Sequence, residues 1–317
     1  MTRVLVTGGA GFLGSTVAAL LAQHSEVSLV VAADVRRNEQ LPESVLQVNC
    51  DVTDAGSISR TIAEYQINTV VHLAAIVNPG GDIALEYRVD VTGTEHVLQA
   101  CAAHGVQRIV VSSSGAAYGY HADSPAWIDE STPLRGNDEF PYSRHKRIVE
   151  ELLASYRATH PELAQTILRI GTILGPTVRN QITALWDGTR VLRIAGSDSP
   201  FVFIWVDDVA EVMVRAATGA ASGIFNVAGD GALSVSEIAD LLGKPLLTLP
   251  AWLLSAVLRA GRLLRVTPYG PEQVRFLRYR PVLDNKKLKT EFGYLPTRSS
   301  RAAFEEYLST HPGVRRS

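Results

Sequence analysis

The chain is poor in sulfur: Cys50 and Cys101 are its only cysteines, and it has 2 methionines in 317 residues. Two thiols supply neither a disulfide framework nor a cysteine-built metal cluster, which leaves free buried thiols in a cytoplasmic protein as the expectation. An excess of one charge is also missing. Against 30 Lys and Arg stand 32 Asp and Glu, a net −2 that gives no basic surface for nucleic acid. No stretch holds the ~20 uncharged apolar residues of a membrane span. The first apolar run leads into a glycine-rich turn rather than a signal-peptide cleavage site. With 46% hydrophobic and 20% charged residues, the composition is that of a folded globular chain, long enough for one large domain or two modest ones. A small-molecule partner is what these exclusions leave.

What is present begins at the N-terminus. Val4, Leu5 and Val6 read as a short buried strand, and Ser15 to Ala22 as an apolar helix. Between them, Gly9, Gly11 and Gly14 satisfy G-x-G-x-x-G, and Gly8, Gly11 and Gly14 satisfy G-x-x-G-x-x-G. Such spacing serves a tight turn, backbone approach to a pyrophosphate, and close helix–strand packing, with the anion on the free amides of the helix N-terminus. Asp34 ends the apolar run Val27–Ala33 at the ~20-residue spacing where a carboxylate grips the adenosine ribose hydroxyls. A carboxylate there repels a ribose phosphate, so NAD is expected over NADP, a preference that Arg36 and Arg37 temper.

Strands then alternate with helices, which predicts an α/β fold: a doubly wound parallel (Rossmann) sheet with a smaller C-terminal α/β substrate-binding lobe. Strands are predicted at Val45–Val48, Thr69–Leu73 and Arg108–Val111, with helices from Asp54 (as N-cap) to Tyr65, over Tyr87–Ala103, and from Pro141 to about Thr159. The expected division is 1–174 for the NAD-binding domain and 175–317 mainly for the lobe, with segments near 203–228 returning to the sheet. His72-Leu73-Ala74-Ala75 ends one strand with small residues that suit a passing cofactor, and His72 itself reads as a packed residue. Another strand runs into Ser112-Ser113-Ser114-Gly115-Ala116-Ala117-Tyr118-Gly119. Tyr142 and Lys146 follow at i and i+4, on one helix face. In hydride transfer at an alcohol carbon the hydroxyl proton must leave or return. A phenol beside an ammonium can carry it, and a serine hydroxyl can hold the oxygen.

This order of motifs resembles the extended short-chain dehydrogenase/reductase family, in its NAD-dependent epimerase/dehydratase group. The likeness runs through Thr7–Gly14, Asp34, Asp51, His72–Ala75, Ser112–Gly119, Tyr142 and Lys146, then Leu168–Pro176 and Phe203–Ala210. It implies Ser114, Tyr142 and Lys146 as catalytic residues. For NAD it implies Gly8, Gly11, Phe12, Leu13, Gly14, Asp34, Arg36, Asp51, Val52, Leu73, Ala74, Ala75, Ser112, Tyr142, Lys146, Ile170, Gly171 and Thr172. Asp51 and Val52 would meet the adenine unless Asp51 is only a turn residue, and Ser113 would lie near the cofactor. Where dehydratases of this group carry Asp-Glu, this chain has Gly115-Ala116, which argues against water elimination.

The arginine that usually precedes Phe203 to hold a sugar-nucleotide diphosphate is replaced by Phe201 and Val202, with Arg193 and Arg280 as candidate substitutes. On that ground the expected activity is an NAD-dependent dehydrogenase or ketoreductase of a secondary alcohol. A sugar or sugar-nucleotide epimerase with tightly held NAD is the alternative, and a non-catalytic NAD(H)-binding protein a second one. A homodimer through Tyr87–Ala103 and Tyr142–Thr159 is what the family likeness implies. Asp207 and Asp208 are read as caps of a helix over Val209–Ala217 that tie the lobes together. Pro250–Val266 reads as an apolar helix with arginines at 259, 262 and 265, and it has three candidate uses. In order these are a lid or core helix, the wall of an apolar substrate site (as in steroid- and flavonoid-reducing relatives), and attachment to a membrane surface. The tail from His311 to Ser317 is expected to be disordered.

Overall fold

The structure is a computed structural model that describes residues 1–77, 82–178, 180–267 and 269–314. Its first half alternates regularly: β1 (Thr2–Thr7), α1 (Phe12–Leu21), β2 (Val27–Asp34), β3 (Leu46–Asn49), α2 (Ala55–Glu64), β4 (Thr69–His72), α3 (Ile83–Tyr87), α4 (Gly93–Ala103), β5 (Arg108–Ser114), α5 (Pro141–Thr159) and β6 (Ala164–Ile170). Strand β10 (Gly223–Val227) joins the far edge, and the seven strands lie in the order β10-β6-β5-β4-β1-β2-β3, all parallel. Each face is covered by its own apolar core. One is built on Val4, Val6, Val17 and Leu21, the other on Leu5, Val31, Ile58 and Leu98. Burial on both faces explains why these strands read as continuous apolar runs rather than alternating ones. The strand order reverses between β1 and β4, and the carboxyl ends of those two strands open the crevice where such sheets take ligands.

The elements differ from the sequence reading at several of their ends and in one helix. The third strand starts at Leu46, because Val45 turns into the core ahead of it. The expected helix over Tyr87–Ala103 is two helices, α3 and α4, joined by a π turn at Arg88–Thr92. The extra residue in that turn aims Asp90 inward, where its Oδ1 accepts the amide of Ile76 and its Oδ2 meets His145.

Beyond β6 come β7 (Thr172–Leu174), β8 (Val191–Ile194), β9 (Phe203–Trp205), α6 (Val206–Thr218), α7 (Val235–Leu242), β11 (Leu246–Leu249), α8 (Ala251–Leu263), α9 (Gln273–Arg278), α10 (Lys286–Thr290) and α11 (Ser300–Thr310). Here β7 pairs with β9 and β8 with β11, around an aromatic cluster of Trp186, Phe201, Phe203 and Phe304. Helix α6 begins at Val206, with no side chain capping it. Asp208 is therefore not its cap. It is buried in the first turn and accepts from Tyr294 Oη at 2.7 Å and the Thr297 amide at 2.7 Å, tying α6 to the C-terminal segment. The tail closes in a short 3₁₀ turn at Pro312–Val314, and residues 315–317 lie outside the described ones.

Candidate active site

The glycine turn is shaped by contacts no side chain would survive. Gly8 sits at φ +68°, and a Cβ on it would come within 2.9 Å of the Ala74 nitrogen. A Cβ on Gly14 would stand 2.1 Å from the Gly8 carbonyl oxygen. Gly11 starts α1 in extended conformation with no side-chain cap, so the first amides of the helix stay available to an anion. Phe12 is exposed beside this end, and Leu13 packs inward against the apolar cores of sheet and lobe. The loop therefore fits a pyrophosphate. Gly14→Ala is expected to cost about 1–3 kcal/mol through overpacking, read as a lower Tm and as loss of the stabilisation that added NAD gives the parent protein.

Asp34 stands at the end of β2 beside this turn. Its Oδ2 accepts the Ala10 amide at 3.2 Å and its Oδ1 the Arg36 amide at 3.0 Å. The Arg36 side chain is exposed and 3.8 Å from the same carboxylate. Arg36 and Arg37 line an open cleft with Ala10, Asn38 and Gln40. Asp51 has become a turn residue: its Oδ1 accepts both the amide and the hydroxyl of Thr53 at 2.8 Å. Val52 is buried against Gly93.

Under the crevice runs a closed chain of hydrogen bonds. Thr7 Oγ1 accepts the amides of Leu73 and Ala74 at 3.2 and 3.3 Å and meets His72 Nδ1 at 2.7 Å. His72 Nε2 meets Thr94 Oγ1 at 3.0 Å, and Thr94 donates to the Asp90 carbonyl at 2.5 Å. With the Thr94 hydrogen so used, Nε2 carries the imidazole proton and Nδ1 accepts from Thr7. Complete burial, with Lys146 adding to it, pushes His72 down to about 3. The ring is thus a neutral strut that holds the Leu73–Ala75 backbone, not an acid or base. Its sign in stability follows. Above pH ~6.5 the ring is neutral folded or unfolded. Between ~6.5 and ~3 only the unfolded chain takes the proton, so this site removes about 1.4 kcal/mol per pH unit as pH falls. Urea melts at pH 7, 6 and 5 should show a steep acid loss in the parent and a flatter one in His72→Asn. Equal slopes would remove His72 from the account.

The serine run is sorted by strand alternation. The carbonyl of Ser112 accepts Lys146 Nζ at 2.8 Å. Ser114 ends β5, and its Oγ accepts the Ala116 amide at 3.1 Å, capping a 3₁₀ turn over Gly115–Tyr118. Ser113 points to the other side, where its hydroxyl donates to buried Glu150 at 2.5 Å. Pro141 opens α5 as its first residue, which sets Tyr142 half-buried in the first turn and Lys146 buried one turn on. Lys146 Nζ is 5.6 Å from the Tyr142 ring centre. Ser143 fastens the two halves together: it donates to the Ala116 carbonyl at 2.6 Å and accepts the Asn137 amide at 3.1 Å. On the neighbouring strand, Ile170 stands in register with Ser114. Gly171 and Thr172 continue from it by donating to Val227 and Val202 carbonyls at 2.9 and 3.2 Å. A Cβ on Gly115 would press on the Leu283 side chain at 3.2 Å, so a larger residue here requires Leu283 to shift.

Several residues around the site were not read from the sequence. Asp90 and His145 form a fully buried pair, Nδ1 to Oδ2 at 3.1 Å, directly behind Lys146. Glu150 and Arg169 make a buried ion pair at 2.7 Å, with Tyr118 stacked on the guanidinium. Glu150 stands at i+4 from Lys146 and i+8 from Tyr142, and Arg169 and Tyr118 lie within the stretches that carry the family likeness. Arg280 is buried with its guanidinium 3.7 Å from the Phe201 ring centre, donating to the Ser199 carbonyl. It has no carboxylate partner among the described residues, and desolvation lowers it to about 9. Tyr120 packs edge-on against Phe140 at 5.0 Å and Phe276 at 5.3 Å, and burial pushes its phenol up. Arg193 instead bonds Thr248 and Ser236, both at 3.2 Å.

A parallel sheet with a glycine turn at its switch point, a strand-end carboxylate, and a Ser/Tyr/Lys cluster at the same edge define a dinucleotide-dependent oxidoreductase fold. The sequence profile of the NAD dependent epimerase/dehydratase family matches residues 4–228, and the chain belongs to that family. NAD is accordingly its cofactor. The chain is 28% identical over 315 residues to the uncharacterized protein Rv0501 of Mycobacterium tuberculosis, covering 96% of this chain and 82% of that one. It is 32% identical over 168 residues to human UDP-glucose 4-epimerase, a match to 48% of this chain and 47% of the enzyme. The UDP-glucose 4-epimerase of Thermus thermophilus, solved in complex with NAD, superposes with a TM-score of 0.75 at 25% identity, over 98% of this chain and 99% of that one.

Proposed function

We propose that this protein is a sugar-nucleotide epimerase that keeps its NAD bound through the reaction. The observation that carries the reading is Arg280, a buried guanidinium with no carboxylate partner among the described residues, which lies over Phe201 and Phe276 and is linked through Phe276, Tyr120 and Phe140 to the start of α5. A buried cation of this kind calls for an anion from outside the chain, and a nucleoside diphosphate supplies one. The usual arginine before Phe203 is missing, which by itself favours a dehydrogenase of a simple alcohol. Arg280 meets that need from 77 residues away in sequence, and the epimerases among the relatives weigh on the same side.

The catalytic roles belong to the same proposal. Tyr142 takes the proton of a sugar ring hydroxyl and returns it to the same oxygen. Ser114 holds that oxygen at the end of β5. Lys146, anchored on the Ser112 carbonyl, keeps its ammonium beside the Tyr142 ring. Gly8, Gly11, Phe12, Leu13 and Gly14 would cradle the pyrophosphate of NAD. Asp34 would take the adenosine ribose, and the Leu73–Ala75 and Ile170–Thr172 segments would line the way to the nicotinamide. NAD, when bound, would supply hydride acceptor and donor chemistry at the sugar carbon. Residues 1–174, with the returning strand β10, would form the cofactor domain and the remainder the substrate lobe. A homodimer through α4 and α5 belongs to the same proposal.

The test is a panel of sugar nucleotides, beginning with UDP-glucose and UDP-galactose, followed by proton NMR without added cofactor. The expected result is interconversion of epimers with near-stoichiometric NAD released on denaturation. Turnover that requires added NADH and ends in an alcohol would replace this reading with the dehydrogenase. Bound NAD with no turnover on any sugar or carbonyl would replace it with the non-catalytic one.

A further inference from the structure

Helix α8 is half packed and half bare. Its inner side, Ala251, Leu254 and Leu258, lies on Leu192, Ile194, Val274 and Leu277. Its outer side is equally apolar, against the rule that a surface helix turns polar residues to water. Trp252, Ala256, Ala260 and Leu263 follow one another at helical spacing along it, and Trp252 and Leu263 are 72% and 82% exposed. The apolar surface continues past the helix end into Leu264 and Val266, exposed by 72% and 79%. Between those two, Arg265 takes the left-handed conformation at φ +57° that glycine ordinarily fills, which throws Leu264 and Val266 outward around a tight corner. Arg265 is therefore off the helix, which ends at Leu263. Arg259, seven residues on from Trp252 and four before Leu263, stands within the exposed face, and Arg262 and Arg265 flank it. Arg259 and Arg265 make no ion pair among the described residues, while Arg262 meets Glu272 at 3.2 Å. No acidic residue occurs between Asp240 and Glu272, in a chain whose net charge is −2.

We propose that this face, α8 with the corner Leu264–Val266, docks the enzyme on an anionic lipid surface. The chemistry of the patch selects that partner. Tryptophan and leucine enter the boundary between headgroups and acyl chains, and arginines alongside them meet lipid phosphates. A second copy of the chain laid symmetrically on the same patch would bring arginine against arginine. The underside of α8 packs on Leu192, Ile194 and Leu277, which also line the cavity that reaches Arg280, so docking bears on a wall of the substrate lobe.

Flotation of the full-length protein with vesicles tests this, using phosphatidylcholine alone and phosphatidylcholine with ~35% phosphatidylglycerol, chosen to give the ~ −50 mV surface of an anionic membrane. The expected result is binding to the anionic vesicles at low salt, little to the neutral ones, and release on raising the salt. Brominated acyl chains should quench Trp252 fluorescence, read as the difference between parent and Trp252→Phe. Arg259→Ala and Arg265→Ala should each lower the partition coefficient about fivefold, and Trp252→Ser with Leu263→Ser should abolish it. Retained NAD, Tm and turnover without vesicles should be unchanged in these variants, which separates failure of docking from failure of folding. Absence of binding to anionic vesicles overturns the proposal. So does binding that the variants leave intact. A dimer that dissociates in Trp252→Ser, with no vesicle binding by the parent, assigns the face to a second copy and also overturns it.

Discussion

Tyr142→Phe should lower turnover by ~10²–10⁴, the range a positioned acid–base group contributes, while bound NAD stays at the parent level. The substitution removes one oxygen from a ring already fixed by the first turn of α5, so the fold has little reason to move. Denaturing release of nucleotide and turnover on the same preparation separate the two effects. Lys146→Met should behave differently. It removes the ammonium from Tyr142 and also breaks the bond to the Ser112 carbonyl, so NAD retention should fall together with turnover. If Tyr142→Phe keeps its rate, the proton passes through another group, and the assignment of the site at this sheet edge is wrong.

Glu150→Ala should destabilise the protein by about 3–5 kcal/mol, the cost of leaving a buried charge without its partner. Glu150 accepts from Ser113, from Arg169 Nε at 2.9 Å and from Arg169 Nη2 at 2.7 Å, and Arg169 goes on to Tyr118 Oη at 2.8 Å. Tyr118 donates in turn to Asn226 at 2.8 Å. The network pins β5, α5, β6, the 3₁₀ turn and β10 to one another behind the active site. Removing the carboxylate strands the guanidinium in the core. Removing both charges is less severe, because no uncompensated ion remains. Glu150→Ala with Arg169→Met should therefore recover part of the loss, and a double-mutant cycle on urea melts measures the coupling. Strictly additive costs would mean that the ion pair carries no net interaction.

The sequence by itself determined the sheet, the glycine turn and the Ser/Tyr/Lys edge. Those features are local: a strand, a turn and a helix start are written in a dozen contiguous residues, and glycine appears where a Cβ has no space, as at Gly8 and Gly14. Strand alternation is local as well and puts Ser113 on the side opposite Ser112 and Ser114, but three consecutive serines do not say which side faces the cleft. Glu150, on another element, decides that. The same holds for Asp208, which looks like a helix cap in sequence and serves as an anchor for Tyr294 and Thr297. What only the tertiary structure decided are the pairings between distant charges and the direction each helix face points. Arg280 was one of two candidate arginines in sequence, and packing buries it on Phe201 without a carboxylate. His72, Asp90 and His145 lie far apart along the chain, and a π turn brings them behind Lys146. In α8 the two apolar sides look alike in one dimension. The rest of the lobe covers one and leaves the other to water, because a single helix lying on a surface has only one side to pack.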